Sequence, residues 1–172
     1  MSIHAYEIKT TADFFKKLLD EREDFLKNPT SSRHAINCAF TAWHIYEWVY
    51  SEYQSHPFMQ QFKNSKQFRD WLLKKNRDFQ LIRDLADGSK HFSLNRPDNT
   101  ILGTHIKRKG ELFGRRPLAE DTLILQMKFM NGSSMSFDDL FYVITIFWYE
   151  FLQRELGIDT SKIMIEGGYT FF

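Results

Sequence analysis

The spacing of apolar residues changes twice along this chain of 172 residues, and that change constrains the fold more than any other feature. Up to about residue 92, apolar residues recur every three or four positions, as on helices with one buried face. Leu102, Thr104 and Ile106 then alternate with their neighbours, and a second alternating run spans 123–130. The helical spacing returns near residue 137. This order predicts a mainly α-helical bundle with an antiparallel β-hairpin inserted before the last helix.

Capping residues and helix breakers give the bounds of the predicted elements. Thr10 or Thr11 begins the first helix, Ser31 or Ser32 the second and Ser136 the last, which Gly157 ends. We expect a bundle of four or five helices, a hairpin insertion at about 99–131, and a single domain over 1–172. The predicted helices are 11–27, 32–54, 58–75, 78–92 (with a kink near Asn76) and 137–156; the predicted strands are 102–107, 123–130 and, shorter, 133–135 and 163–165.

Composition excludes several classes of protein. Hydrophobic residues make up 42% and aromatic residues 16%, which is too apolar for a disordered tail. Lys and Arg number 23 against 22 Asp and Glu, so a uniformly basic nucleic-acid binder is excluded, although a local basic patch is not. The single cysteine, Cys38, favours a reducing compartment. The longest strongly apolar run, 140–149, is shorter than the ~20 residues of a membrane helix. We therefore expect a cytoplasmic protein without a membrane segment.

Two polar stripes on helices carry the candidate catalytic residues. Arg83 and Asp87 are four apart, as are Asp87 and His91, so a continuous helix presents them on one surface. On the second helix, Asn37 and His44 lie on a narrow polar seam. If the two stripes face each other, they line a cleft suited to acid–base chemistry. The alternative is a solvated helix face beside a hydrogen-bonded core histidine.

The predicted helix that carries Arg83, Asp84 and His91 resembles the motif helix of the HEPN superfamily of bacterial defence and toxin proteins. The family motif is Arg followed by a polar residue and then His, and many members are ribonucleases that need no metal and act as dimers. The resemblance implies that Arg83 binds phosphate, that His91 transfers protons, and that Asp84 is the polar residue. His44 or Asn37 would then orient the substrate. Seven residues lie between Arg83 and His91, an interval longer than the family's usual one.

Three further blocks, 42–48, 84–92 and 147–152, are similar to uncharacterised bacterial helical proteins, a likeness that implies no activity. Some of the same residues are of the types that bind metals. His44-x-x-Glu47 with His91, Asp84 or Glu150 could supply ligands, but the di-metal and zinc-protease spacings and paired cysteines are absent. We therefore predict neither a metal nor another cofactor.

The connection between the two main predicted strands is locally basic. From residue 96 to 128 there are seven Lys and Arg against four Asp and Glu. Such an arm could follow a phosphate backbone and stack a base on its phenylalanine. The candidate nucleic-acid-binding residues are Lys107, Arg108, Lys109, Phe113, Arg115 and Arg116.

The function predicted from these features is that of a HEPN-like defence or toxin–antitoxin component that binds RNA and cuts it without metal. The alternative is a protein-interaction module without catalysis, which binds a protein partner through its hairpin and its aromatic last helix. That helix carries aromatic rings on almost every side. Because interfaces are rich in such rings, a homodimer is a further expectation.

Overall fold

A computed structural model describes residues 7–88, 101–108 and 123–170. The described elements, in chain order, are α1 (Thr11–Lys27), α2 (Ser32–Tyr53), a 3₁₀ turn (Met59–Gln61), α3 (Ser65–Lys75), α4 (Asp78–Gly88), β1 (Ile101–Arg108), β2 (Leu123–Phe129), β3 (Ser134–Ser136), α5 (Phe137–Leu156) and α6 (Thr160–Gly167). The structure therefore confirms a mainly helical fold with a small antiparallel sheet inserted before the last helices.

Side-chain caps fix several of these helix ends where the sequence predicts them. The hydroxyl of Thr10 accepts from the backbone N–H of Asp13, whose carboxylate in turn accepts from the backbone N–H of Thr10. This capping box satisfies donors that would otherwise lack partners at the start of α1. At the start of α5 the hydroxyl of Ser136 accepts from the backbone N–H of Asp139, and Gly157 ends α5 with φ +70°. A positive φ is accessible to glycine without steric strain, so α5 ends there.

Helix α2 lies at the centre of the bundle and packs against α1, α3, α4 and α5. The indole N–H of Trp148 on α5 donates to the carbonyl of Ala42 on α2 at 3.0 Å, in the buried core. Most rings of α5 pack inside the chain: Phe141 meets Phe25 edge-on, and Phe147 and Trp148 both meet Phe79 edge-on. Most aromatic side chains of α5 are thus packed within the core of the chain.

The three described strands form an antiparallel sheet in the order β1-β2-β3. Met127 lies opposite Thr104 on one side and Met135 on the other. Leu125 and Met127 are buried in the helical core, which places one face of the sheet on the helices. The backbone N–H of Leu125 also donates to the carbonyl of Pro29 at 2.8 Å, which ties β2 to the α1–α2 turn.

Two predicted elements are wrong in detail. The predicted helix 58–75 begins only at Ser65, because the side chain of Asn64 accepts from the N–H of Gln67 and starts a new helix there. The predicted strand 163–165 lies within α6. That helix is capped by Asp159, which accepts from the N–H of Lys162, and it ends at a glycine with positive φ.

Near Asn76 the chain breaks between α3 and α4 rather than bending within one helix. The last four residues of the predicted helix 78–92 lie outside the described residues. Of the described helices, none has both the length and the apolar character that crossing a bilayer requires.

Candidate functional site

Helix α4 carries an ion pair between neighbouring residues. Arg83 donates to one carboxylate oxygen of Asp84 from Nε at 3.2 Å and from Nη2 at 3.0 Å. The side chain of Asp84 is only 2% exposed, whereas that of Arg83 is partly exposed. A buried carboxylate that accepts two hydrogen bonds from one guanidinium restricts the orientation of that guanidinium. Nη1 of Arg83 takes no part in this pair and carries N–H groups able to bind an anion.

On α2, a single carboxylate joins an imidazole and a phenol. Nδ1 of His44 lies 3.3 Å from Oε2 of Glu47, and the hydroxyl of Tyr46 donates to Oε1 of Glu47 at 3.0 Å. The His44 ring also packs against Phe40, with ring centroids 4.3 Å apart. Glu47 therefore fixes the positions of two groups that can both donate or accept a proton.

Charged residues on α3 and α4 affect the pKa of a residue in this part of α2. Burial, followed by the hydrogen bond to Glu47, raises the pKa of Tyr46 to about 12. The negative charge of Asp87 on α4 also raises this pKa, and the positive charge of Arg69 on α3 lowers it. Tyr46 on α2 therefore lies within electrostatic range of Asp87 on α4. We call the following set the α2–α4 polar cluster: His44, Tyr46, Glu47, Arg83, Asp84 and Asp87.

Three of the predicted catalytic residues belong to this set: Arg83 and Asp84 pair with each other on α4, whereas His44 pairs with Glu47 on α2. Asn37 is partly exposed on α2 and makes no described contact with α4. Thr41, further along the same seam, accepts from the Lys17 ammonium of α1 at 2.7 Å, so that part of the seam faces α1. His91 lies outside the described residues.

Sequence reasoning did not single out Tyr46. The signal was the adjacent Glu47, whose carboxylate can accept from a phenol that is otherwise buried. Glu47 itself was considered only as a metal ligand. Within the described ranges, no three His, Cys, Asp or Glu side chains are close enough to share a metal ion. Cys38 is fully buried, and burial raises the pKa of its thiol far above the ordinary value, which leaves little reactive thiolate.

The sheet face that points away from the core carries a second polar surface. His105, Lys107 and Lys128 lie on this face, since their neighbours in the ladder face the helices. With Gly103 and Ser134 they line a shallow depression of about 410 Å³. Gly103 lies opposite Lys128, and a Cβ there would meet nothing within 4 Å, so the depression is open at that point. We call His105, Lys107 and Lys128 the basic sheet face.

The charge on this sheet has one sign. The three strands contain Lys107, Arg108 and Lys128, and none of their residues is Asp or Glu. Not all of the outer face is open, however. Ile124 and Gln126 lie on it and are buried, and no described group bonds to either amide atom of Gln126. On this face Lys128 is exposed, and His105 and Lys107 are partly exposed.

Two residues of the predicted nucleic-acid-binding arm, Lys107 and Arg108, belong to β1, where Arg108 lies opposite Leu123 in the ladder. The other predicted residues of the arm lie outside the described residues: Lys109, Phe113, Arg115 and Arg116.

Comparison with known proteins gives no relative. No family model matches the chain, no curated protein matches it, and no solved structure resembles its fold closely enough to count as a match. Any function must therefore be inferred from the geometry of the chain itself.

Proposed function

We propose that this chain binds RNA and that the basic sheet face is part of the binding surface. The observation that carries the proposal is a depression on the outer face of the sheet, lined by the exposed Lys128 and the partly exposed His105 and Lys107, on strands without a single carboxylate side chain. A surface of one charge attracts a phosphate backbone without regard to base sequence. The HEPN-like sequence features support RNA as the ligand and a defence or toxin component of the cytoplasm as the setting.

The spacing of the basic side chains suits a polyanion. His105 and Lys107 are two residues apart on one strand, which separates them by roughly 6–7 Å. Lys128 lies diagonally across from His105, since it pairs with Gly103 in the ladder. A single RNA strand that crosses β1 and β2 can thus contact more than one basic side chain. The basic arm between the strands would extend this surface, with Phe113 available for stacking on a base.

Equilibrium binding of a labelled single-stranded RNA, measured by fluorescence anisotropy, tests the proposal. We expect the double variant Lys107→Ala/Lys128→Ala to bind about tenfold more weakly than wild type. Lys162→Ala is a matched control, because Lys162 pairs with Glu166 on α6, which packs against α1 and α5. Equal affinity for all three proteins would overturn the proposal and favour the protein-interaction module.

The α2–α4 polar cluster supports a second function, cleavage of the bound RNA without metal. The favouring observation is that Asp84 orients the Arg83 guanidinium on α4, while His44 and Tyr46 both bond to Glu47 on α2, the helix that packs against α4. In this proposal Arg83 binds the scissile phosphate through the N–H groups that Asp84 does not use. His91 and His44 supply the imidazoles that would accept and donate the protons.

The chemistry would be attack by the 2′-hydroxyl on the neighbouring phosphorus. One imidazole takes the hydroxyl proton as the new P–O bond forms, and a protonated imidazole gives a proton to the leaving 5′-oxygen as the old bond breaks. The guanidinium stabilises the additional negative charge on the phosphorane. The products are a 2′,3′-cyclic phosphate and a 5′-hydroxyl, and identification of these ends by mass spectrometry would distinguish this route from hydrolysis.

A further inference from the structure

A cavity of about 330 Å³ lies between the start of α4 and the turn that joins β2 to β3. Its apolar wall is formed by Leu81 of α4, Phe129 of β2 and Met135 of β3, which belong to the helical core or pack against it. Met130, a residue of the turn that is 69% exposed, also lines the cavity. Ligand sites occupy roughly 300–1,000 Å³, so this space suits a small organic molecule with an apolar part. We call it the α4–turn cavity.

The polar part of this cavity carries two opposite charges that do not pair with each other. The sequence contains the dipeptide Arg-Asp three times, at 69–70, 77–78 and 83–84. In the first and third dipeptides, two nitrogens of the guanidinium donate to the neighbouring carboxylate. Arg77 and Asp78 both line the cavity, and within the described part of the chain neither side chain has a hydrogen bond or an ion pair. Both charges are therefore available to a ligand.

Local hydrogen bonds hold the two sides of the α4–turn cavity in place. At the start of α4, the side-chain oxygen of Asn76 accepts from the backbone N–H of Asp78 at 2.8 Å. In the turn, Oδ1 of Asn131 accepts from the backbone N–H of Ser133 at 3.0 Å and from its hydroxyl at 2.7 Å. Asn131 also lines the cavity, and the N–H groups of its Nδ2 take no part in these bonds. A site that is fixed before binding loses less entropy when a ligand enters.

We propose that the α4–turn cavity binds a free α-amino acid with a large apolar side chain. Such a molecule carries a carboxylate and an ammonium group at one end and an apolar group at the other. Arg77 and the Asn131 amide donate to the carboxylate, and Asp78 accepts from the ammonium group. The apolar group of the ligand lies against Leu81 and Phe129, where its removal from water favours binding.

The pair of opposite charges selects this class of ligand over simpler ones. Asp78 is the first residue of α4 and Arg77 immediately precedes it, so the two charges come from adjacent positions. A ligand with only a negative charge is repelled by Asp78, and one with only a positive charge is repelled by Arg77. Leu81 follows Asp78 by three residues and lies on the same face of α4. The charged end and the apolar end of one small ligand therefore both find complementary groups.

This site is separate from the basic sheet face. Met135 lies opposite Met127 in the ladder, and Met127 is buried in the helical core, so Met135 faces the helices. Phe129 is two residues beyond Met127 on the same strand and faces the same way. The basic sheet face lies on the other side of the sheet. The proposal therefore does not depend on RNA binding, and its tests contain no RNA.

A two-dimensional NMR titration tests both the ligand class and its location. The probes are L-phenylalanine and L-leucine, each compared with its analogue without the ammonium group and its analogue without the carboxylate (hydrocinnamate and phenethylamine for L-phenylalanine). We expect an amino acid to bind with a dissociation constant below about 1 mM and each analogue to bind about tenfold more weakly. The amide signals of residues 129–133 should shift. The proposal is overturned if neither amino acid binds at millimolar concentration, if the analogues bind equally well, or if the signals that shift lie only elsewhere.

Two variants assign the charges to their partners on the ligand. Arg77→Ala should weaken binding of the amino acid about tenfold but should not weaken binding of the analogue without a carboxylate. Asp78→Asn should weaken binding of the amino acid by a similar factor but not that of the analogue without an ammonium group. Arg154→Ala is the matched control, because Arg154 pairs with Glu150 at an exposed position of α5. Wild-type affinity in both cavity variants overturns the proposal, as does equal weakening of all ligands, which indicates a merely structural effect. Circular dichroism establishes that each variant is folded.

Discussion

Arg83 and Asp84, neighbours on α4, form an ion pair in which one buried carboxylate oxygen accepts from two nitrogens of the guanidinium. Arg69 and Asp70 on α3 form a pair of the same local geometry, with distances of 3.2 and 2.9 Å. The two pairs differ in burial. The side chain of Asp84 is 2% exposed and that of Asp70 is 44% exposed.

This difference predicts unequal costs of removing the two carboxylates. Asp84→Ala should lower the free energy of unfolding by about 2 kcal/mol, because it removes buried hydrogen bonds to a charged group. Asp70→Ala should cost less than about 1 kcal/mol, since solvent screens an exposed pair. Urea unfolding followed by circular dichroism measures both values. Equal costs would show that the burial of Asp84 is not what stabilises the α4 pair.

The capping box of α1 predicts a pH-dependent contribution to stability. Burial tends to raise the pKa of Asp13, but hydrogen bonds from the backbone N–H of Lys9 and from the hydroxyl and backbone N–H of Thr10 outweigh it, so the pKa is lowered. A carboxyl whose pKa is lowered by folding stabilises the protein at neutral pH. That contribution disappears as the pH falls through the pKa of the folded state.

Asp13→Asn should therefore lower the free energy of unfolding by about 1 kcal/mol at neutral pH, the usual value of a cap, and by less in acid. The control is Asp24→Asn, which removes an exposed carboxylate near the C-terminal end of the same helix. Thermal unfolding at several pH values gives the comparison. A deficit in Asp13→Asn that stays constant down to acidic pH would contradict the role of its charge.

The cleavage proposal predicts that histidines, and not metal, support the reaction. His91→Ala should reduce the rate of RNA cleavage by about a hundredfold or more, the usual contribution of a general acid or base. His44→Ala should also lower the rate, whereas His56→Ala, in the turn after α2, should not. A chelator should have no effect. Gel analysis of a labelled RNA measures these rates, and a wild-type protein that leaves diverse RNAs intact would refute cleavage.

Local sequence signals predicted those parts of the fold that depend on neighbouring residues. The caps at Thr10 and Ser136 and the stop at Gly157 need only their own turn of helix to act. The strand predicted at 163–165 failed because a short apolar run fits either period. Its flanking Asp159 and Gly168, which cap α6, carried the deciding information.

The candidate site was less accessible from sequence, because it depends on contacts between distant segments. The four-residue spacing placed Arg83 on a polar surface of α4, but it did not show that tertiary packing buries the neighbouring Asp84 almost completely. The partnership of Tyr46 with Glu47 is local, but the influence of Asp87 on Tyr46 requires α2 and α4 to be adjacent. The residues of the strands are enough to show that the charged side chains of the sheet are all basic. They do not show that the outer face of the sheet forms a depression.

The salt dependence of RNA affinity tests the central claim most directly. For single strands, the plot of log affinity against log salt concentration steepens by about 0.7 for each phosphate that a cation neutralises. We predict a steep slope for wild type and for Lys162→Ala, and a slope shallower by about 1.4 for Lys107→Ala/Lys128→Ala. A slope that is the same in all three proteins would contradict binding at the basic sheet face.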